Sequence, residues 1–185
     1  MDRCREGGTL GIRTVSEPGF TIRTAGPGDA GAVDSVLSAS YPALMPAGYP
    51  PAVMERVLPI ITRSNPALLD AGTYYLAEAV DGTPVGSGGW SFDWPGEPTR
   101  PPQPGLAHIR HFATHPGWLR RGVGRALLDR CFADAEAAGA SRMLCYASLV
   151  AEEFYASAGF VAIGRNSMEF PPGNRFDSIV MERSL

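Results

Sequence analysis

The feature that most constrains this chain is a glycine- and arginine-rich turn at residues 120–125, with the sequence Arg-Arg-Gly-Val-Gly-Arg. It joins a strand-like segment, 106–114, to the start of the strongest amphipathic helical pattern, 119–138. The first turn of a helix leaves backbone N–H groups without partners, and its dipole adds partial positive charge. Glycines let a phosphate approach those groups closely, and arginines add mobile cations. The sequence therefore predicts a pyrophosphate-binding turn at the start of a helix.

Three other kinds of turn have sequences similar to residues 120–125: an ordinary tight turn, a Walker phosphate loop and a dinucleotide-binding turn. The same residues suit an ordinary tight turn with solvated arginines, and the motif alone does not decide between that role and phosphate binding. A Walker phosphate loop needs Gly-Lys-Ser/Thr after its glycines, and none occurs. A dinucleotide fingerprint needs a third glycine or alanine where this chain has Leu127. The Walker and dinucleotide motifs are both disfavoured.

Length and composition indicate one ordinary globular domain. The chain has 185 residues, 44% of them apolar and 19% charged. Its net charge of −3 and the lack of a Lys/Arg tract argue against nucleic acid as a partner. No segment reads as a secretory signal or a membrane span, and the cysteines are three, an odd number, so we expect a cytoplasmic protein without a membrane partner. We expect residues 1–19 to form a flexible extension and residues 20–185 the domain.

Hydrophobic periodicity predicts an alternation of strands and helices. A strand at Phe20–Thr24 precedes a helix that ends near Tyr41-Pro42, and Pro50-Pro51 can begin a second helix. Five prolines between Asp93 and Gly105 predict a long loop. The remaining predicted elements are a hairpin of Thr73–Val80 with Pro84–Phe92, the strand Leu106–Thr114, the helix Leu119–Ala138, the strand Arg142–Ala147, the helix Val150–Ala158, and the strands Phe160–Met168 and Ser178–Arg183.

Short motifs occur around the turn in a fixed order. They are Ile22-Arg23-Thr24-Ala25 with Asp29, Asp81-Gly82, His115-Pro116, Ala151-x-x-Phe154-Tyr155-x-x-x-Gly159-Phe160 and Val180-Met181-Glu182-Arg183. Together with the turn they resemble the GNAT acetyltransferase family, whose coenzyme A turn is usually Gln/Arg-x-x-Gly-x-Gly/Ala. Gly122 and Gly124 fill the two glycine positions, whereas Leu119 replaces the Gln or Arg.

The resemblance implies a GNAT fold of the α/β (α+β) class. Such a fold has a mixed, mostly antiparallel sheet of about seven strands, flanked by helices, that splays near its middle to admit acetyl-coenzyme A. It also implies an N-acetyltransferase that moves the acetyl group directly, in a ternary complex, to a primary amine of a small molecule or peptide. A homodimer is a reasonable expectation from the same resemblance.

The resemblance also implies which residues contact the acetyl donor. The main chain of Phe112, Ala113 and Thr114 would pair with the amide-bearing arm, and one amide of this segment could stabilise the oxyanion. Ser148 stands where the family often has Asn. The cradle for the pyrophosphate would be Arg120, Arg121, Gly122, Val123, Gly124 and Arg125.

Two residues are candidates for proton transfer. Resemblance gives Tyr155 the role of protonating the coenzyme A sulfur, and a phenol with its ordinary pKa stays protonated at neutral pH. The alternative is that Tyr155 packs its helix on the sheet. His108 stands where several family members carry a catalytic glutamate; Glu78 and bulk water are alternative bases, and a structural role for His108 is also open. Residue alternation directs His111 to the other strand face.

Several functions remain to be compared with the acetyltransferase. A GNAT-fold module could bind an acyl-coenzyme A or a partner without catalysis; a nucleotide-dependent oxidoreductase is disfavoured because no clear second βαβ unit follows Ala147. A covalent acetyl-cysteine is disfavoured because Cys131 and Cys145 lie in apolar segments without an adjacent base. No metal is expected, since the histidines lack companion ligands at suitable spacing.

Candidate acceptor-pocket residues are Tyr41, Met45, Tyr49, Trp90, Phe92 and Trp94.

Overall fold

The computed structural model of the protein describes residues 19–170 and 174–185. The first strand begins at Phe20, as the sequence predicts. The predicted extension, residues 1–19, lies outside the described residues except for Gly19. None of the described helices has the length and apolar content that crossing a membrane requires.

A seven-stranded sheet forms the centre of the molecule, in the order β1-β2-β3-β4-β5-β7-β6. Its strands are β1 (Phe20–Thr24), β2 (Tyr74–Ala79), β3 (Pro84–Ser91), β4 (Leu106–Thr114), β5 (Arg142–Ser148), β6 (Val161–Phe170) and β7 (Asn174–Ser184). Neighbouring strands are antiparallel except for β4 and β5, which are parallel. The predicted mixed, mostly antiparallel sheet is therefore confirmed.

Helices cover both faces of this sheet. They are α1 (Ala30–Leu44), α2 (Pro51–Ile61), α3 (Pro66–Asp70), α4 (Val123–Ala137) and α5 (Glu152–Ser157). Alternate residues of β2 enter different cores, as strand geometry requires. Tyr75 and Ala77 pack in the core under α4 and α5, and Tyr74 and Leu76 pack in the core under α1 and α3.

The helices α4, α1 and α3 differ from the sequence prediction. Helix α4 begins at Val123 rather than Leu119, because Arg120 and Gly122 have φ angles of 62° and 85° that an α-helix does not admit. Helix α1 continues through Pro42 to Leu44, although proline removes one helical hydrogen bond. The short helix α3 was not predicted; the Asn65 side chain caps it by accepting a hydrogen bond from the backbone N–H of Ala67.

The sheet opens between its two parallel strands. β4 and β5 are paired only over their first three residues, 106–108 with 142–144. Beyond that point β4 pairs only with β3 among the described strands, and β5 only with β7. The divergence creates a gap in the middle of the sheet, in agreement with the splay that the sequence predicts.

Candidate active site

A cavity of about 750 Å³ occupies the place where β4 and β5 diverge. The glycine-arginine turn before α4 lines one part of the cavity. Tyr41, Met45, Ile61 and Phe176 belong to an apolar cluster that contains no residue of the turn, and they line another part, the far end of the cavity. Of the predicted site residues, the lining includes Phe112, Ala113, Thr114, Arg120, Gly122, Val123, Gly124, Arg125, Ser148 and Tyr155. The divergence of two strands therefore brings together residues of β4, β5 and β7, of the turn before α4, and of the helices α1, α2, α4 and α5.

A β-bulge shapes the β4 wall of the cavity. Between the pairs Ser87–Ala113 and Gly89–Arg110, β4 has two residues opposite the single residue Gly88. One of them, His111, has a φ angle of 48°, which is uncommon for a residue other than glycine. A Cβ atom on Gly88 would approach the Phe112 ring to 2.2 Å, so the bulge needs glycine at this position of β3.

Two tyrosines fix the backbone of this bulge. The Tyr74 hydroxyl donates a hydrogen bond to the His111 carbonyl at 2.7 Å, and the Tyr41 hydroxyl donates one to the Phe112 carbonyl at 3.2 Å. The β4 edge that faces β5 has no strand partner beyond His108 in the described part of the chain. A ligand with a row of amides fits such an edge, because it can pair there as another strand would.

The turn before α4 has the geometry of an anion cradle. Gly122 is the N-cap of this 15-residue helix, and a Cβ atom there would have no protein neighbour within 4 Å. Gly124 lies in the first turn, where a Cβ atom would come 3.1 Å from the Phe154 ring and 3.4 Å from Thr114 Oγ1. Gly124 lets Phe154 pack closely against the helix, and the open space at Gly122 lets an anion approach the N-terminal amides of α4.

The arginines of the turn have different surroundings. Arg120 and Arg125 line the cavity, and Arg125 also forms an ion pair with Asp129 at 2.9 Å. Arg121 does not line the cavity; its guanidinium lies 4.9 Å from the centre of the Trp118 ring. Two of the three predicted arginines are therefore at the cavity, both at its turn end.

Tyr155 lies in the wall of the cavity on helix α5. Its ring is held by edge contacts with Phe154 and Phe160, with ring centres 5.1 and 5.5 Å apart. Burial raises its pKa well above the ordinary value, and the neighbouring Cys145, Tyr41 and Cys131 act in the same direction. The phenol is therefore protonated at neutral pH and can act as a proton donor.

His108 is not part of the cavity lining. Its ring lies 4.5 Å from that of Trp94 in the proline loop, and both ring nitrogens lack a hydrogen-bond partner among the described residues. Burial lowers its pKa to about 4, and the nearby guanidinium of Arg110 adds to this effect. The histidine at the sequence position where several family members carry a catalytic glutamate therefore lies outside the cavity.

His111 lines the cavity instead. The bulge interrupts the two-residue alternation, so the face of His111 cannot be counted from His108. Its ring makes an edge contact with Tyr41 at 6.4 Å, and burial lowers its pKa to about 4. The imidazole is therefore neutral at physiological pH, with a lone pair available on one ring nitrogen.

The other titratable candidates are accounted for by their contacts. Glu78 forms an ion pair with Arg23 at 2.8 Å and is not among the cavity-lining residues. Cys145 lines the cavity, but burial raises its pKa and disfavours the reactive thiolate. No cluster of three or more metal-binding side chains occurs in residues 19–170 and 174–185.

The far end of the cavity is apolar. Tyr41 and Met45 line it as the sequence suggested, together with Leu44, Ile61 and Phe176, which the sequence did not single out as site residues. Ile61 follows Val53, Val57 and Leu58 at helical spacing, and this apolar periodicity was a usable signal. Nothing in the sequence around Phe176 indicated its place.

The remaining predicted pocket residues have structural contacts. Trp90 and Phe92 pack against each other at 5.3 Å in the main core, and Trp94 covers His108. The Tyr49 hydroxyl accepts a hydrogen bond from the backbone N–H of Leu149 at 2.9 Å and donates one to the Asp177 carbonyl at 2.8 Å. Tyr49 also stacks on Phe176 at 4.4 Å, so it supports the cavity wall from behind.

Comparison with known proteins adds to these observations. A family model described as the acetyltransferase (GNAT) family matches residues 36–160, more than half of the chain. No curated protein sequence matches the chain.

Solved structures with the same fold cover nearly the whole chain. A GCN5-related N-acetyltransferase from Rhodopseudomonas palustris is 25% identical, with a TM-score of 0.71, and the match covers 97% of this chain and 100% of that one. A GCN5-related N-acetyltransferase from Kribbella flavida is 26% identical, with a TM-score of 0.58 and coverage of 92% and 100%. The PaiA N-acetyltransferase from Thermoplasma acidophilum, in complex with coenzyme A, is 17% identical, with a TM-score of 0.65 and coverage of 90% and 99%.

Proposed function

The chain belongs to the GNAT acetyltransferase family, and on that premise we propose that it transfers the acetyl group of acetyl-coenzyme A directly to a primary amine in a ternary complex. The observation that carries this proposal is a single cavity with an anion cradle at one end, a free strand edge in its wall and a buried phenol beside it. These are the parts that an acyl-coenzyme A and an attacking amine require together.

Acetyl-coenzyme A would lie along the diverging strands. The amides at the start of α4, supplemented by Arg120 and Arg125, would hold its pyrophosphate. The main chain of residues 112–114 would pair with its amide-bearing arm, and Ser148 lies on the opposite wall as a further hydrogen-bonding group. This arrangement would place the thioester at the bulge, where a backbone N–H can stabilise the oxyanion.

The proposed reaction is an attack of the neutral amine nitrogen on the thioester carbonyl carbon. A C–N bond forms, the C–S bond breaks, and the products are an amide and free coenzyme A. Tyr155 would give its proton to the departing sulfur, and the amine would lose a proton to His111 directly or through water. We assign the second role to His111 rather than His108 because only His111 lines the cavity.

Binding of the donor can be tested by calorimetric titration with acetyl-coenzyme A. Gly122→Glu would place a carboxylate at the cradle, and repulsion of the pyrophosphate should weaken binding at least about tenfold. Gly139→Glu is the matched control, since Gly139 follows the other end of α4 with a φ angle of 93° and no neighbour within 4 Å of its Cβ position. Equal affinities for both variants would contradict the cradle.

Catalysis is tested separately with Tyr155→Phe. We expect kcat to fall roughly 100-fold, the scale of general acid catalysis, with unchanged affinity for acetyl-coenzyme A. A protein that binds acetyl-coenzyme A but releases no coenzyme A with any amine would instead be a non-catalytic binding module.

A further inference from the structure

The charge distribution in the cavity differs sharply between its two ends. Arg120 and Arg125, both at the turn, are the only cavity-lining residues with a permanent charge among those that the structure describes. None of the described lining residues is an Asp or Glu. A second ammonium group on an acceptor would therefore find no carboxylate in this lining, and a carboxylate on an acceptor would find no cation at the end away from the turn.

The end away from the turn is built mainly from apolar and aromatic side chains. Helix α1 contributes Tyr41 and Leu44 together with the uncharged hydroxyl of Ser40, the segment after it Met45, helix α2 Ile61, and strand β7 Phe176. Phe176 is parallel to Tyr49, with an angle of 11° between the rings, so it presents a flat wall. An apolar body bound here gains from removal from water, and an aromatic one also from ring contacts.

The groups closest to the reaction also favour an acceptor without extra charge. The Tyr41 hydroxyl is already bound to the Phe112 carbonyl, and its ring contacts His111. His111, which is neutral, and Ser40 are polar side chains of the lining beside this apolar end, and neither carries a charge. An ammonium entering such surroundings is stripped of water without a counter-charge in the described lining, which favours its neutral, reactive form.

From these contacts we infer the acceptor class, an inference that rests on the proposed function. The acceptor is a primary amine on an aromatic or branched aliphatic body that carries no second charge. A polyamine or an amino acid with free carboxylates does not fit, because either would bury a charge without a partner in the described lining.

The first test compares acceptors on the intact chain. Release of coenzyme A is followed with a thiol reagent, using phenylethylamine, spermidine and glutamate at the same pH. We expect kcat/KM for phenylethylamine to exceed that for each of the others at least about 100-fold. Faster reaction with spermidine or glutamate would overturn the inferred acceptor class and leave the proposed function standing. Binding of acetyl-coenzyme A without reaction of any amine would overturn both.

The second test changes the charge of the apolar end. Ile61→Asp adds a carboxylate to the lining, and it should lower kcat/KM for phenylethylamine at least about tenfold while raising it for spermidine. Ile60→Asp is the control. Ile60 directly precedes Ile61 in α2, is half exposed to solvent and is not among the cavity-lining residues. Leu44→Asp repeats the test from helix α1 in case the α2 variant does not fold. A preference unchanged in the folded lining variants would contradict the inference.

Discussion

Arg120 combines a strained backbone with a place at the cavity. Its φ angle of 62° lies in the left-handed region, where residues with a Cβ atom are disfavoured. Strain at a ligand-facing residue is consistent with selection for function rather than for stability. A guanidinium that supplements the cradle amides is such a function.

Replacing Arg120 with glycine tests its backbone strain and its contribution to donor binding separately. Arg120→Gly should raise the free energy of unfolding by up to about 1 kcal/mol, because glycine adopts the left-handed conformation without steric cost. The same variant should bind acetyl-coenzyme A several-fold more weakly, since a cation is lost. Chemical denaturation and calorimetry measure the two effects, and a loss of stability without loss of affinity would contradict this account of Arg120.

The two strand histidines provide a direct comparison of proton acceptors. His111→Gln should reduce kcat roughly tenfold to 100-fold, because the amine loses the cavity imidazole. His108→Leu should leave kcat at the parental value, since this side chain packs against Trp94 outside the cavity. Initial rates at saturating amine decide the matter, and the opposite pattern would restore His108 as the base.

The positions of individual residues could be predicted where the sequence signal lies within a few neighbouring residues. The turn glycines carry their signal within six residues, so their place at a helix N-terminus could be read directly. The place of His111 in the cavity lining could not be foreseen, because the bulge depends on Gly88, Tyr74 and Tyr41, which are distant in sequence.

At the scale of elements, Tyr49 joins three segments that line or support the acceptor end. Its hydroxyl bridges the backbone after β5 to the backbone of β7, and its ring backs Phe176. The segment that carries it packs closely, since a Cβ atom on Gly48 would approach Val150 Cγ1 to 2.8 Å. The position of helices α1 and α2 relative to the diverging strands depends on this junction.

Removing the bridging hydroxyl should affect stability and acceptor binding together. Tyr49→Phe leaves two backbone groups without this partner, and we expect a loss of about 1–3 kcal/mol in the free energy of unfolding. KM for the amine should rise, while affinity for acetyl-coenzyme A stays the same, because the contacts of Tyr49 are with Leu149, Phe176 and Asp177 and not with the turn before α4. An equal loss of affinity for the amine and for acetyl-coenzyme A would contradict a specific effect of Tyr49 on the acceptor end.

Element prediction was most accurate where periodicity and turn residues agreed. The hairpin of β2 and β3 lies within one residue of its predicted bounds at each end. Helix α3 was missed because five residues are too few for a periodic pattern. Strand β7 extends beyond both of its predicted bounds and β6 beyond its C-terminal one, since antiparallel pairing with each other supplies hydrogen bonds that apolar alternation does not reveal.

At the scale of the whole molecule, buried histidines make stability depend on pH. The pKa of His108 falls from 6.5 to about 4 on folding because its ring is buried. The unfolded chain therefore binds more protons than the folded one between these values, so folding is favoured above pH 6.5 and stability is lost as pH falls towards 4.

His108→Leu should remove this contribution. Between pH 6.5 and pH 4 the parent should lose roughly 3 kcal/mol more unfolding free energy than the variant, as expected from the change in pKa. His111 titrates in both proteins, so its contribution cancels in the comparison. Urea denaturation at several pH values measures the difference, and parallel stability curves would show that His108 does not have the lowered pKa.

The divergence of β4 and β5 also has a consequence for how such a protein can change over evolutionary time. The donor would be held largely by peptide groups, at the free edge of β4 and at the first turn of α4, and peptide groups are the same whatever side chain they carry. Side chains around the acceptor end can then be exchanged one at a time without loss of the acetyl donor. A chain of this design can acquire a new amine substrate while the chemistry it performs stays constant.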